Sequence, residues 1–141
     1  MIYKCKHFKI EELVPPDVYN GEEDKDRLWM IFDILALKAL DALRDRYGPA
    51  FVNTWHYEKN GFKNRGYRAP DCTVGARYSQ HRFGRAFDVS FRDVSAEEVR
   101  GDARNTPYPQ FQHFRRIEED VSWLHFDTGN YFGEGIKFFK P

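Results

Sequence analysis

The sequence predicts a domain of the α+β class, in which one long helix precedes a small antiparallel sheet. From about Glu22 to Tyr47, apolar residues recur at helical spacing, and a Gly-Pro pair ends this pattern. Downstream, several short stretches alternate apolar and polar side chains, which is typical of half-buried strands. With 141 residues, the chain is long enough for one hydrophobic core and too short for two. Residues 1–141 are therefore expected to form a single domain.

The N-terminal region is expected to pack against this domain as a short arm. Residues 8–19 have the pattern of a turn of helix that the double proline at residues 15 and 16 stops. In the long helix that follows, acidic residues lie at the start and arginines at the end, which suits the helix dipole. The apolar face of that helix is expected to lie in the core, and it comprises Leu28, Ile31, Phe32, Leu35, Ala39, Ala42 and Leu43.

Strand patterns follow the long helix at residues 50–55, 86–91, 111–117 and 122–127. In the second pattern, the alternation places Asp88 on a polar face and Phe87 and Val89 on the core face. In the last pattern, His125 shares one face with Asp127. The polar, glycine-punctuated stretch between the first two strands is expected to be an irregular loop, and loops of that length often carry function.

One further helix is predicted between the strands. Ser95 and Glu98 have the spacing of a capping box, which places the start of this helix there and its end near Arg104. A proline-containing break is expected at residues 105–109. The apolar tail at residues 136–139 is expected to pack back on the domain.

Composition argues against several classes of protein. Lysine plus arginine and aspartate plus glutamate both number 22, so no net charge attracts nucleic acid or an anionic membrane. No apolar run approaches the ~18 residues of a transmembrane helix. The first residues lack the apolar core of a signal peptide, so we expect cytoplasmic synthesis and, for any action outside the cell, release by lysis or transport on a particle. Cys5 and Cys72 are expected to be free thiols.

Three residues have the side chains that a catalytic zinc ion takes as ligands. His81 and Asp88 lie seven residues apart around a glycine turn, and His125 adds a second imidazole downstream. Such a set leaves one coordination position for water. Ser79, two residues before His81, is placed to form a hydrogen bond that supports a metal ligand. The spacing alone leaves open that these histidines are ordinary core residues, because a His and an Asp seven apart occur by chance in many proteins.

The pattern Ser-x-His-x-x-Gly-x-Ala-x-Asp at residues 79–88, followed by Trp-x-His at 123–125, resembles the metal signature of the M15 peptidases. That family includes D-Ala-D-Ala carboxypeptidases and dipeptidases, and phage endolysins that cut L-Ala-D-Glu. The N-terminal arm, the end of the long helix and the run Gly-Tyr-Arg-Ala-Pro at residues 66–70 extend the resemblance over nearly the whole chain.

This resemblance implies a Hedgehog/DD-peptidase-like fold and a Zn²⁺ ion held by His81, Asp88 and His125. Arg68 matches the arginine of the family's Gly-Tyr-Arg element, which implies that it binds the substrate carbonyl and the charge of the tetrahedral intermediate. The implied activity is hydrolysis of a peptide bond in peptidoglycan, in which water activated by the metal attacks the carbonyl. The implied partner is the peptidoglycan stem peptide, and the implied origin is a phage. A monomer is the default expectation for the oligomeric state.

The sequence departs from the family at the catalytic base. Members commonly have Glu or Asp three residues before the last histidine, and here that position is Ser122, which cannot take a proton as a carboxylate does. Asp120 is the favoured substitute, with Glu119 as an alternative from the same turn. Asp127 could also reach, although a role in supporting the ligands fits its position better. Two further hypotheses remain: a zinc-binding module without catalysis, for example in a phage particle, and a fold without zinc.

Overall fold

A five-stranded sheet forms the centre of the structure, a computed structural model that describes residues 1–105 and 108–141. The strands are β1 (Ala50–Phe51), β2 (Ala86–Phe91), β3 (Arg116–Glu118), β4 (Leu124–Asp127) and β5 (Lys137–Phe139). The strand order is β1-β2-β4-β3-β5, and neighbouring strands are antiparallel except for β3 and β5, which are parallel. The protein is therefore of the mixed α+β class.

The parallel edge strand corrects the expectation of a purely antiparallel sheet. Residues 136–139 were expected only to pack back on the domain, but Lys137–Phe139 pairs with β3 as a strand. A strand of three residues is too short to show an alternating pattern, so β5 could not be predicted from the sequence.

The first strand is shorter than predicted. Residues 52–55 leave the sheet and pair instead with neighbouring segments, as in the hydrogen bond from the Thr54 amide to the Phe62 carbonyl at 2.9 Å.

The long helix predicted for residues 22–47 is interrupted. Helix α2 (Lys25–Leu28) and a 3₁₀ turn at Trp29–Ile31 precede an extended residue, Phe32, with φ −96° and ψ 144°. Asp33 then begins a new helix, because its carboxylate accepts a hydrogen bond from the amide of Leu35 at 3.1 Å. Aspartate at such a position satisfies the free amides of a helix start, so apolar spacing alone extended the prediction too far. The α-helices are α1 (Pro16–Asn20), α2 (Lys25–Leu28), α3 (Ile34–Tyr47) and α4 (Ala96–Asn105).

The double proline begins a helix, which corrects its expected role as a stop. Pro16 is the first residue of α1, where a missing amide hydrogen costs nothing and a fixed φ suits the helix. The only helical turn before it is a 3₁₀ turn at Ile10–Glu12.

The later elements agree with the sequence at some boundaries and differ at others. Strand β2 has the predicted bounds, and α4 begins at the predicted capping box, where the Glu98 amide donates to Ser95 Oγ at 3.0 Å. The strand predicted at residues 111–117 is reduced to β3, because Pro109–Phe111 is a 3₁₀ turn. Within the break predicted at residues 105–109, Thr106 and Pro107 lie outside the described residues.

The core lies between helix α3 and one face of the sheet. Leu37, Leu40 and Leu43 of α3 are fully buried in the same cluster as apolar side chains from β2 and β4. Because side chains alternate along a strand, the residues between those apolar ones face the opposite side of the sheet. The second face of β2, β3 and β4 is thus free to form a polar site. In the described residues, no helix has the length and apolar character needed to cross a membrane.

Candidate metal centre

The structure brings His81, Asp88 and His125 together into one compact cluster. The His125 Nδ1 atom lies 2.8 Å from Asp88 Oδ1 and 3.3 Å from His81 Nε2. The His81 Nε2 atom also lies 3.3 Å from Asp88 Oδ1. One donor atom from each residue lies within 4.8 Å of the others, so the three could hold a metal ion. Two imidazole nitrogens and a carboxylate oxygen form a donor set that fits zinc and leaves a coordination position open.

Strand pairing places two of these three residues. Asp88 of β2 lies directly opposite His125 of β4 in the antiparallel register, so their side chains lie side by side on one face. His81 comes from a 3₁₀ turn at Gln80–Phe83, immediately before β2. This turn ends at Gly84, whose left-handed conformation (φ +69°) returns the chain into the strand.

Replacement of Gly84 by alanine is expected to destabilise the protein by about 2–4 kcal/mol. The left-handed backbone is unfavourable for a side chain, and a Cβ atom there would collide with the carbonyl oxygen of Ile31. Gly101→Ala is the matched control, because it lies inside α4 with nothing within 4 Å of the added atom. That control should be neutral or stabilising by up to about 1 kcal/mol. Chemical denaturation of both variants measures the difference, and equal stabilities would contradict the role assigned to Gly84.

The ring of His81 is oriented by a backbone carbonyl. Its Nδ1 donates a hydrogen bond to the carbonyl of Gly66 at 2.8 Å, which directs Nε2 toward the cluster. Ser79 supports the same residue differently, since its hydroxyl accepts a hydrogen bond from the backbone amide of His81 at 3.3 Å. The hydrogen bond to Gly66 could not be predicted from the sequence, because every residue type has a backbone carbonyl. Only the folded loop directs the Gly66 carbonyl at the His81 ring.

The short segment at residues 65–68 connects the cluster to the rest of the fold. The Asp88 amide donates to the carbonyl of Arg65 at 2.8 Å, and the Arg68 amide donates to the carbonyl of His81 at 3.3 Å. The same segment contacts the N-terminal arm, where the Tyr67 amide donates to the carbonyl of Leu13 at 2.8 Å. The segments that carry His81 and Asp88 are therefore both held by this one loop.

Burial and hydrogen bonding keep His81 and Asp88 in the protonation states that a metal requires. His81, Asp88 and His125 are only 1, 5 and 8% exposed. Burial lowers the pKa of His81 and so favours the neutral imidazole. Burial alone would raise the pKa of Asp88, but the hydrogen bond from His125 and the nearby imidazole of His81 outweigh it and hold that pKa below its usual range. Neutral imidazole and ionised carboxylate are the forms that bind metals.

Arg68 lies at the cluster, as the resemblance implied for a site residue. Its Nη2 atom is 3.4 Å from Asp88 Oδ2, and its Nε atom donates to the carbonyl of Asn64 at 2.8 Å. The side chain is 11% exposed, and its desolvation lowers the pKa of the guanidinium, an effect that the charge of Asp88 opposes. Arg68 therefore holds one oxygen of Asp88 while the other oxygen faces the two histidines.

The structure does not bring Asp120 to the cluster. Its side chain is 66% exposed and lies 4.0 Å from the ammonium group of Lys140. Glu119, the alternative from the same turn, accepts a hydrogen bond from Arg104 at 2.7 Å. Asp127 is fully buried, but its carboxylate binds Arg116 and the amide of Gly129.

Glu118 is the carboxylate that lies beside the cluster. Its Oε2 atom is 3.7 Å from His125 Nδ1, and its side chain lines the same cleft. The pairing of Ile117 with Phe126 puts Glu118 opposite His125, so both residues share one face. The strand pattern predicted at residues 111–117 stops one residue before Glu118, so Glu118 was not predicted as a site residue. Extending the predicted strand by one residue would have placed Glu118 on the same face as Arg116.

A cleft of about 550 Å³ opens beside the cluster. Trp123 forms part of its wall, and Arg100 of α4 fixes the backbone there by donating to the carbonyls of Trp123 at 2.8 Å and Val121 at 2.7 Å. The remaining lining residues come mainly from the loop before the metal-binding turn and from β3 and β5, and they include Val74, Gly75, Ala76, Tyr78, Gln80, Arg116, Phe139 and Pro141.

Comparison with known proteins gave no match for this chain among family models, curated proteins or solved structures.

Proposed function

We propose that this protein is a zinc-dependent peptidoglycan peptide hydrolase of the M15 type, with a Hedgehog/DD-peptidase-like fold. The observation that supports the proposal best is the buried cluster of His81, Asp88 and His125, with the carboxylate of Glu118 3.7 Å from His125 at the edge of a cleft. The candidate metal ligands, a proton acceptor and space for a substrate thus lie together at the cleft. A metallohydrolase needs each of these three parts.

Zinc bound by the three ligands would supply a Lewis acid that lowers the pKa of a bound water to about 7 and polarises a peptide carbonyl. Glu118 is the residue that we propose as general base, in place of Asp120. Its position opposite His125 allows its carboxylate to accept a proton from the attacking water and return it to the leaving amine. Ser122 then needs no part in proton transfer.

Arg68 has two roles in this proposal. Its contact with Asp88 Oδ2 fixes the orientation of the ligand carboxylate. Since the same side chain lines the cleft, its guanidinium is also available to stabilise negative charge that develops on the substrate carbonyl oxygen. Removal of one such donor costs on the order of 10²–10³ in rate in other hydrolases.

The second candidate is a zinc-binding M15-like module without catalysis, with a structural or wall-binding role such as a part of a phage particle. The burial of the three ligands favours it, since each is less than a tenth exposed. A metal that only stabilises a fold is typically closed off by its ligands and surroundings, whereas catalysis requires access for water and substrate.

Incubation of the zinc-loaded protein with purified peptidoglycan and with synthetic stem peptides tests the proposal. We expect new peptide fragments by mass spectrometry, and none with the His81→Ala variant. The masses of the fragments identify the cleaved bond as L-Ala-D-Glu or D-Ala-D-Ala. Zinc binding without any cleavage would select the non-catalytic module, and a wild-type protein that binds no zinc would reject both candidates.

A further inference from the structure

A second arginine, Arg116, lines the cleft and is not used by the mechanism above. It lies on β3 two residues before Glu118, so both side chains are on the face that carries the metal cluster. The side chain of Arg116 is 31% exposed, whereas that of Arg68 is 11% exposed. Arg116 is therefore the more accessible cation of the cleft.

The position of this guanidinium is fixed by two neighbours. Its Nε and Nη2 atoms lie 2.9 and 2.8 Å from the same oxygen of Asp127, a residue that is fully buried. The ring of Phe139 lies 4.8 Å from the guanidinium carbon. Within residues 1–105 and 108–141, the Nη1 atom has neither a hydrogen bond nor an ion pair. A rigidly held arginine with unused N–H groups is suited to bind a planar anion.

The charges around the cleft favour an anionic ligand when a divalent ion is bound. Arg68, Arg116 and the metal would then outweigh the carboxylates of Asp88, Glu118 and Asp127. Along the strand, Arg116 is displaced from Glu118 by about 6.6–7 Å. An extended peptide covers about 3.3–3.6 Å per residue, so this displacement spans about two residues of substrate at most.

We infer that Arg116 is a specificity-determining residue that binds a carboxylate of the substrate one or two residues from the cleaved bond. The inference rests on the proposed function and specifies its substrate as a peptide with a free carboxylate close to the scissile carbonyl. A carboxylate would occupy the N–H groups of Arg116 that Asp127 leaves unused.

The experiment uses the zinc-loaded full chain and the pentapeptide L-Ala-γ-D-Glu-L-Lys-D-Ala-D-Ala, in which D-Glu is linked to L-Lys through its side-chain carboxyl group, in three forms. One form has both free carboxylates, one has an amide at the C-terminus, and one has an amide on the D-Glu α-carboxyl group. We expect the wild type to prefer the free form over one of the amides by about 10- to 100-fold in kcat/KM, mainly through KM. The Arg116→Gln variant should lose this preference, and Arg116→Lys should keep part of it.

Arg115→Gln is the matched control, because it removes the same charge from the neighbouring residue, which is exposed and lies outside this cleft. It should retain the preference of the wild type. Since Arg116→Gln leaves Asp127 buried without its partner, the double variant Arg116→Gln/Asp127→Asn removes both charges and should also lose the preference. Equal discrimination by the wild type and both Arg116→Gln variants would overturn the inference.

Calorimetric binding of the same three peptides distinguishes failure of this inference from failure of the proposed function. Selective binding of the free peptide that depends on Arg116, without hydrolysis, would support the inference and reject the peptidase activity. Hydrolysis that does not distinguish acid from amide would overturn the role of Arg116 and leave the proposed peptidase activity standing. Binding that does not distinguish them, without hydrolysis, would overturn both.

Discussion

Replacement of His81 by alanine is expected to reduce the zinc content of the protein from about one ion per chain to nearly none. His81 supplies one of only three side chains in the cluster, and its Nε2 atom lies 3.3 Å from both of its partners. Residues that merely orient a ligand already affect metal affinity by about 10–100-fold, so loss of a ligand should cost more. Elemental analysis of protein purified without chelator measures the zinc content.

His113→Ala is the control for this experiment, since it removes an imidazole from a residue outside the cluster. It should retain the zinc content of the wild type. Thermal unfolding provides a second readout, because zinc that binds only the folded state raises the melting temperature in proportion to ln(1 + [Zn]/Kd). We expect this increase in the wild type and in His113→Ala, and little of it in His81→Ala. A wild type that remains zinc-free after reconstitution would exclude the metal centre.

Glu118→Gln is expected to lower kcat by about 10²–10⁴ and to leave the zinc content unchanged. Glutamine has nearly the shape of glutamate, but its amide cannot accept the proton of the attacking water. Glu118 is not one of the three residues of the cluster, so the metal should remain bound. Turnover of a stem peptide measures kcat, and elemental analysis of the same sample reports the zinc content.

Asp120→Asn is the matched control, since it neutralises another carboxylate of the same acidic segment. Its side chain is exposed and faces Lys140, so the expected change in kcat is less than about threefold. The reverse result, with Asp120→Asn inactive and Glu118→Gln active, would restore Asp120 as the base. Full activity of both variants would place the base elsewhere in the cleft.

The sequence predicted the parts of the site that depend on regular alternation. Along β2, the period of two residues put Asp88 on the polar face, and β4 placed His125 on the same side of the sheet. The glycine turn before β2 was also predicted, and Gly84 has the left-handed conformation that such a turn requires. These features are local in sequence, so they can be predicted without knowledge of the tertiary structure.

Features that depend on distant pairing were not predictable in this way. The carbonyl of Gly66 and the carboxylate of Glu118 reach the cluster only because a loop and a third strand are docked there. Two helix boundaries were also missed, since Asp33 and Pro16 act through capping and backbone geometry rather than through apolar spacing. Short edge strands such as β5 take their structure from the neighbouring strand.

The loop at residues 65–68 has a consequence for how the protein assembles. It hydrogen-bonds to β2, to the metal-binding turn and to Leu13 of the N-terminal arm, and the tight contact between Leu13 and Gly66 leaves no room for a side chain on Gly66. The arm, the loop and the ligands thus form one cooperative unit. If zinc binds as proposed, docking of the first residues of the chain preorganises its ligands, so we expect changes that loosen the arm to weaken zinc binding.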